Sequence, residues 1–267
     1  MIRLIFVGGF VILFLIFSIP IMIAEKIIGK SNPERKSRSS LAIVNWAFRC
    51  VRFFAGTKVE YIGEENIPTD TAVLYAGNHR SFFDIVLTYP RVPRPTGYIS
   101  KKEIEKVPLL NVWMRNLHCL FLDREDAKAG FQTLRDASDL LKNGISVCIF
   151  PEGTRNKEDG TLLPCHEGSF RIATKVGCPI IPMTITNSAA VFENQFPRIK
   201  KAHVIIEYGK RILYLRFDFL YLLCIQLDLD AKRKGIIRLL YNFTIENVHK
   251  IRRIMAQLNG KSFCRSV

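Results

Sequence analysis

From Leu4 to Ala24 the chain is an almost uninterrupted apolar run of about 21 residues, and no other stretch restricts its fold so strongly. At about 1.5 Å per residue, a helix of that length reaches across a hydrocarbon core of about 30 Å. Three readings compete: a spanning helix, a cleaved signal peptide, and a helix lying in one leaflet beside a second helix. The run is long for a signal peptide, lacks a small-x-small cleavage site, and contains Gly8-Gly9 and Pro20, which membrane helices tolerate. A retained anchor is therefore expected, with the spanning and single-leaflet forms both open.

Arg3 stands alone before the run, whereas Lys26, Lys30, Arg35, Lys36 and Arg38 follow it. The positive-inside rule then places the following domain on the cytoplasmic side of the membrane. Residues 39 to 55 set Leu41, Val44, Trp46 and Phe48 among Arg49 and Arg52, the pattern of a second, interfacial helix or of an ordinary core helix. Residues 1–55 thus read as an anchor, a basic linker and a possible interfacial helix. Over the whole chain, 39 Lys and Arg against 24 Asp and Glu leave a net charge of +15, which favours an anionic partner. Next to a membrane-length apolar run, that partner is expected to be an anionic lipid surface. No nucleic acid is expected, because no aromatic-basic recognition motif accompanies the charge. Seven cysteines with no C-x-x-C pair suggest reduced, mostly buried thiols, and no zinc-site spacing is present.

Beyond the linker, strand candidates recur at 57–62, 72–76, 96–100, 120–122, 146–150, 180–185 and 203–208, with helical stretches at 82–89, 108–117, 126–142 and 167–176 between them. Strands alternating with helices argue for a layered α/β domain over 56–210. Residues 211–267 read differently, being strongly apolar to Leu229 and basic from Lys232. A membrane-touching segment, a terminal helix pair packed on the core, and a reading frame altered after Gly209-Lys210 all remain open for this region.

Two short motifs carry the chemistry. Asn78-His79-Arg80-Ser81-Phe82-Phe83-Asp84 follows a buried strand candidate, so His79 emerges at a strand end. In a regular helix Asp84 would lie about 140° around the axis from His79, and in a strand about 17 Å away. Only a turn folding into a helix brings them together, with Ser81 as its N-cap. Asp84 then orients the imidazole, whose other nitrogen faces the cleft as a base. A satisfied histidine beside a helix-capping aspartate is the competing reading of this motif alone. Phe150-Pro151-Glu152-Gly153-Thr154-Arg155 also follows an apolar strand candidate. There Gly153 permits close backbone approach, Thr154 can donate a hydrogen bond, and Arg155 can grip a phosphate through two N–H groups. Cys165 and Ser169 lack a nucleophile-elbow context, and His118, His166, His203 and His249 read as loop histidines.

Together these motifs resemble the glycerolipid acyltransferase family, most closely its 1-acylglycerol-3-phosphate acyltransferases. The resemblance spans about residues 55–210 in four ordered blocks. Besides the two motifs, they are Lys102-Glu103-Ile104 through Phe121-Leu122-Asp123-Arg124, and Pro179-Ile180-Ile181-Pro182. It implies a layered α/β domain with a central, mostly parallel sheet, preceded by a membrane helix or helix pair. It assigns His79 and Asp84 to catalysis, and Arg124, Glu152, Gly153, Thr154 and Arg155 to substrate binding, with the phosphate held by Arg124 and Arg155. The implied reaction is attack by the 2-hydroxyl of lysophosphatidic acid on acyl-CoA or acyl-carrier protein, which needs neither metal nor organic cofactor. His118 departs from the pattern, standing where the family commonly has glycine. Alternatives are a related lysophospholipid or glycerol-3-phosphate acyltransferase, and an inactive phospholipid-binding protein.

Overall fold

The computed structural model describes residues 1–158, 161–166 and 168–212. The C-terminal segment from 213 onward, on which three readings stood open, lies outside the described residues.

Every expected strand forms. They are β1 (Lys58–Ile62), β2 (Leu74–Gly77), β3 (Thr96–Lys101), β4 (Leu120–Leu122), β5 (Ser146–Ile149), β6 (Ile180–Thr186) and β7 (His203–Tyr208), and they join one sheet in the order β1-β7-β6-β2-β5-β3-β4. All neighbours pair parallel except β6 and β7. The central strands β2 and β5 are buried at every residue, whereas β1, at the sheet edge, alternates exposed and half-buried positions. A strand covered on both faces buries both sets of side chains, which is why β2 and β5 read as continuous apolar runs.

Between the strands lie α4 (Phe83–Thr88), α5 (Leu110–Asn116), α6 (Ala127–Lys142) and α7 (Gly168–Val176). The connections β2-α4-β3 and β3-α5-β4 step along the sheet in one direction, while β4-α6-β5 and β5-α7-β6 step back. Right-handed crossovers then put α4 and α5 on one face and α6 and α7 on the other. In agreement, α6 packs on α7, and the long α3 (Pro33–Ala55) packs on α4 and α5. The chain therefore leaves β2 and its neighbour β5 toward opposite faces. This opens a crevice at their carboxyl ends, the place where ligands bind in open α/β sheets.

Of the forms open for the N-terminus, the structure has a helix pair. The apolar run is two helices, α1 (Ile2–Phe17) and α2 (Ile19–Ser31), bent by 49° at Ser18. Pro20 sits in the first turn of α2, where its missing N–H and fixed φ are tolerated but cannot extend the preceding helix. Ser18 Oγ donates to the Leu15 carbonyl (3.1 Å) at the bend. Among the described residues no single helix is long and apolar enough to cross a membrane, although the bent pair is by length and composition. The basic linker is also absent, because α2 runs to Ser31 and α3 starts at Pro33. Asn32 caps α3 by accepting from Arg35 N (2.9 Å), Pro33 occupies its first turn, and Gly56 ends it at φ +69°. The three helices are tied to each other and to the domain: Arg3 donates to the Phe54 carbonyl (3.2 Å), and Trp113 Nε1 to Ser18 Oγ (2.9 Å).

Candidate active site

Both sequence motifs open onto the β2/β5 crevice. After β2, Asn78 clips the chain to β6: its amide donates to Ile185 O (2.9 Å) and accepts from Ile185 N (2.7 Å), replacing a strand pairing with a side chain. His79 follows as the chain turns into α4. Its Nδ1 lies 2.8 Å from Asp84 Oδ2, and the Arg80 and Ser81 N–H groups donate to the same oxygen at 2.8 Å each. Asp84 is fully buried. A carboxylate only accepts, so Nδ1 carries the hydrogen and Nε2 keeps a lone pair. The turn-into-helix geometry expected from the five-residue spacing is present, but Ser81 precedes the N-cap position, which Phe82 holds. Ser81 Oγ instead accepts from Phe83 N (2.9 Å).

The second motif turns sharply after β5. Gly153 has φ +68°, the left-handed conformation that favours glycine, and a Cβ there would stand in tight contact with the His166 ring at 3.1 Å. Its own N–H closes the turn on the Phe150 carbonyl (2.9 Å) and is not free for a ligand. Glu152, expected to bind substrate, does not line the cavity. Its two oxygens accept from His79 N and Leu163 N, each at 2.9 Å, and the side chain is buried. Burial pushes its carboxyl above the ordinary range, opposed by those two N–H groups. Asn156 N donates to the His79 carbonyl (2.7 Å), and the His79 imidazole stacks on Phe150 with centroids 4.2 Å apart. Four contacts from the second motif and its flanks and from Asp84 thus immobilise one histidine.

His79, Arg124, Gly153, Thr154 and Arg155 line a common cavity of about 710 Å³. Its remaining wall is largely apolar, with Phe82, Ile85, Ile99, Leu122 and Leu134 among its residues. Arg124 reaches it because Asp123 Oδ1 accepts from Glu125 N (3.0 Å) and Asp126 N (3.3 Å), shaping the turn out of β4. The Arg155 guanidinium carbon lies over the Phe82 ring, 3.9 Å from its centroid. The arrangement offers a base, cations for an anionic group, and apolar surface for a hydrocarbon chain within one space.

Sequence reasoning missed three contributors. Lys101, at the carboxyl end of β3, lines the same cavity, and so does His166, which had been read as an ordinary loop histidine. Glu193, in a loop after β6, accepts from Ser81 Oγ (2.6 Å) and Phe82 N (2.8 Å) and lies 3.3 Å from Arg155 Nη1. Position at a strand's carboxyl end was a usable signal for Lys101, whereas nothing local marks Glu193. His118 has φ +60°, the left-handed conformation that favours glycine, and its Nε2 bonds Ser37 Oγ on α3 (2.7 Å). It is therefore a partnered histidine, with its pKa lowered by burial and then by Lys36. No disulfide joins the described cysteines, and burial pushes the Cys119 thiol up to about 11, leaving it an unreactive core residue.

Comparison with known proteins agrees with this geometry. Residues 58–186 match the family model described as Acyltransferase. A chloroplastic 1-acyl-sn-glycerol-3-phosphate acyltransferase of Brassica napus is 36% identical over 147 residues, covering 55% of this chain and 42% of that protein. The 1-acyl-sn-glycerol-3-phosphate acyltransferase of Helicobacter pylori is 30% identical over 166 residues, covering 62% and 66%. The chain spans about half the length of the curated relatives it matches first. The crystal structure of the 1-acyl-sn-glycerophosphate acyltransferase PlsC from Thermotoga maritima superposes with a TM-score of 0.72 at 21% identity, covering 88% of this chain and 96% of that one, and so shares the fold. Residues 58–186, which hold His79, Asp84 and the Glu152–Arg155 turn, thus form a domain that matches the acyltransferase family.

Proposed function

We propose that the protein transfers an acyl group from a thioester donor, acyl-CoA or acyl-carrier protein, to the 2-hydroxyl of lysophosphatidic acid, forming phosphatidic acid. The observation that carries this reading is the 2.8 Å His79–Asp84 contact at the edge of a cavity that also holds Arg124 and Arg155. A hydroxyl is a poor nucleophile at neutral pH, and a positioned base contributes about 10²- to 10⁴-fold. His79 Nε2 takes the hydroxyl proton as the oxygen attacks the thioester carbon. The tetrahedral intermediate then collapses by breaking the C–S bond, and the imidazolium returns the proton to the departing thiolate. Asp84 holds the tautomer and offsets the imidazolium charge. Arg124 and Arg155 hold the acceptor phosphate, while Gly153 and Thr154 shape and line that wall. We assign the oxyanion to the backbone N–H groups of Thr154 and Arg155, which lie in the same turn and have no backbone partner among the described residues.

Membrane attachment through α1 and α2 fits a lipid acceptor. These helices and α3 leave Phe6, Phe17, Ile27 and Phe53 each more than half exposed, an apolar surface suited to a bilayer. Basic residues near an anionic leaflet add about 1 kcal/mol each. With the domain on the cytoplasmic side, the phosphate of a bilayer-held acceptor would meet the cavity at headgroup depth.

The test is acyl transfer from labelled oleoyl-CoA, and separately from oleoyl-acyl-carrier protein, to lysophosphatidic acid by detergent-solubilised full-length protein. Glycerol-3-phosphate and lysophosphatidylcholine serve as alternative acceptors and His79→Ala as the control. Phosphatidic acid formed with intact His79 is the expected result. Near-normal transfer by His79→Ala would overturn the mechanism, and product from another acceptor alone would overturn the substrate.

A further inference from the structure

We infer that Glu193 is the positioning residue for acceptor recognition, setting both the orientation of Arg155 and the turn between His79 and Asp84. The inference deepens the proposed function and rests on Arg155 receiving the acceptor phosphate.

Glu193 opens a short helical turn, Glu193–Gln195, that follows β6 and returns over the carboxyl ends of the strands. It lies 114 residues after His79 and 109 after Asp84 in sequence, so only the β5-α7-β6 crossover brings it there. Its Oε2 accepts from the Ser81 hydroxyl (2.6 Å), and its Oε1 accepts from Phe82 N (2.8 Å) and faces Arg155 Nη1 at 3.3 Å. The Phe82 ring supports the same guanidinium from below, at 3.9 Å. One carboxylate therefore fixes the backbone that carries the supporting ring and, at the same time, the end of the cation resting on that ring. A second path runs from Glu193 through Ser81, whose N–H donates to Asp84 Oδ2 (2.8 Å), the oxygen that also receives His79 Nδ1.

Burial divides the roles. Ser81 is fully buried, whereas the side chains of Glu193 and Arg155 are 20% and 38% exposed, so the pair sits at the cavity mouth and not in the core. An exposed ion pair by itself contributes little. What distinguishes this one is that its carboxylate also receives a backbone N–H and a hydroxyl, leaving Arg155 few alternative positions. An arginine held in this way keeps unused N–H groups directed along the guanidinium edge, the geometry that suits two-point contact with a phosphate.

The experiment is a double-mutant cycle on full-length protein in detergent micelles, with initial rates at varied lysophosphatidic acid and at varied thioester. Glu193→Ala is expected to raise the acceptor KM about 10-fold, as befits loss of a charge-assisted contact, with the thioester KM unchanged. Glu193→Gln keeps an oxygen for Phe82 N and Arg155 and should recover to within about 3-fold of wild type. In an Arg155→Ala background neither Glu193 change should raise the acceptor KM further. Effects on acceptor KM that are equal with and without Arg155, or thioester KM rising in step, would overturn the inference. If Glu193→Ala does not fold, Glu193→Gln carries the same cycle, and persistence of its KM rise without Arg155 overturns the inference equally. Binding of lysophosphatidic acid is titrated on the same variants. Wild-type protein that binds but does not transfer overturns the proposed function while the cycle is still read in Kd; wild-type protein that does neither overturns both.

Discussion

Replacing Asp84 with asparagine preserves the side chain's size and removes its charge. An amide oxygen in the place of Oδ2 still accepts from Arg80 N and Ser81 N, both at 2.8 Å, so the turn should persist. The amide nitrogen takes the position of Oδ1, which is buried without a partner, and an unpaired donor there costs about 1–3 kcal/mol of stability. The loss in rate is larger. As the acceptor hydroxyl is deprotonated, His79 becomes a cation while Asp84, 2.8 Å away, remains an anion. Charge centres about 4 Å apart at an effective dielectric of about 20 attract by about 4 kcal/mol. Removing that attraction from the transition state lowers kcat by about 10³-fold, with acceptor KM little changed. The assay is kcat at saturating lysophosphatidic acid and thioester, with thermal unfolding alongside to show that the variant is folded. Folded Asp84→Asn protein retaining kcat within about 10-fold of wild type would refute the electrostatic argument.

Other outcomes follow from the same contacts. Glu152→Gln leaves one acceptor for two N–H groups, those of His79 and Leu163, so it should lower stability by about 1–3 kcal/mol and reduce kcat by loosening His79; unchanged unfolding and rate would contradict the brace. His118 has a folded pKa below its unfolded one, so the unfolded chain takes up the proton first, and stability present at neutral pH is lost as pH falls from about 6.5 toward the lowered value. Denaturation followed between about pH 7 and 5 should show a steeper loss for wild type than for His118→Ala, and parallel curves would remove this histidine from the acid sensitivity. Deleting residues 1–31 uncovers the face of α3 on which Phe10 and Phe14 lie against Trp46 and Phe54, so the truncated protein should leave the membrane fraction as aggregate. Wholly membrane-bound, active truncated protein would count against α1 and α2 as the attachment.

The elements of this fold are written locally. A strand covered on both faces is apolar throughout, which made β2 and β5 legible as short continuous runs, and the motifs after them were recognisable because polar residues that end such a run belong to a loop. Boundaries were less legible where two signals competed. Residues 26–38 were read as a basic linker from their charge, yet Asn32 and Pro33, a cap and a first-turn proline, start α3 there. Likewise, the unbroken hydropathy of residues 4–24 concealed the bend at Ser18, which depends on how Pro20 seats in the first turn of α2.

The chemical types at the site, a histidine with an aspartate five residues on and a glutamate-to-arginine turn, were fixed by local order, because a turn and a strand end are properties of a few neighbouring residues. Which loops meet was decided only by the strand order β6-β2-β5-β3, which sends the chain from β2 and β5 to opposite faces and opens the crevice between them. That order made Glu152 a brace for His79, brought Lys101 to the cavity, and set Glu193 against Ser81, Phe82 and Arg155. Such contacts join residues far apart along the chain. The free energy that selects among them comes from burying the whole sheet between its helices, and no single segment carries it.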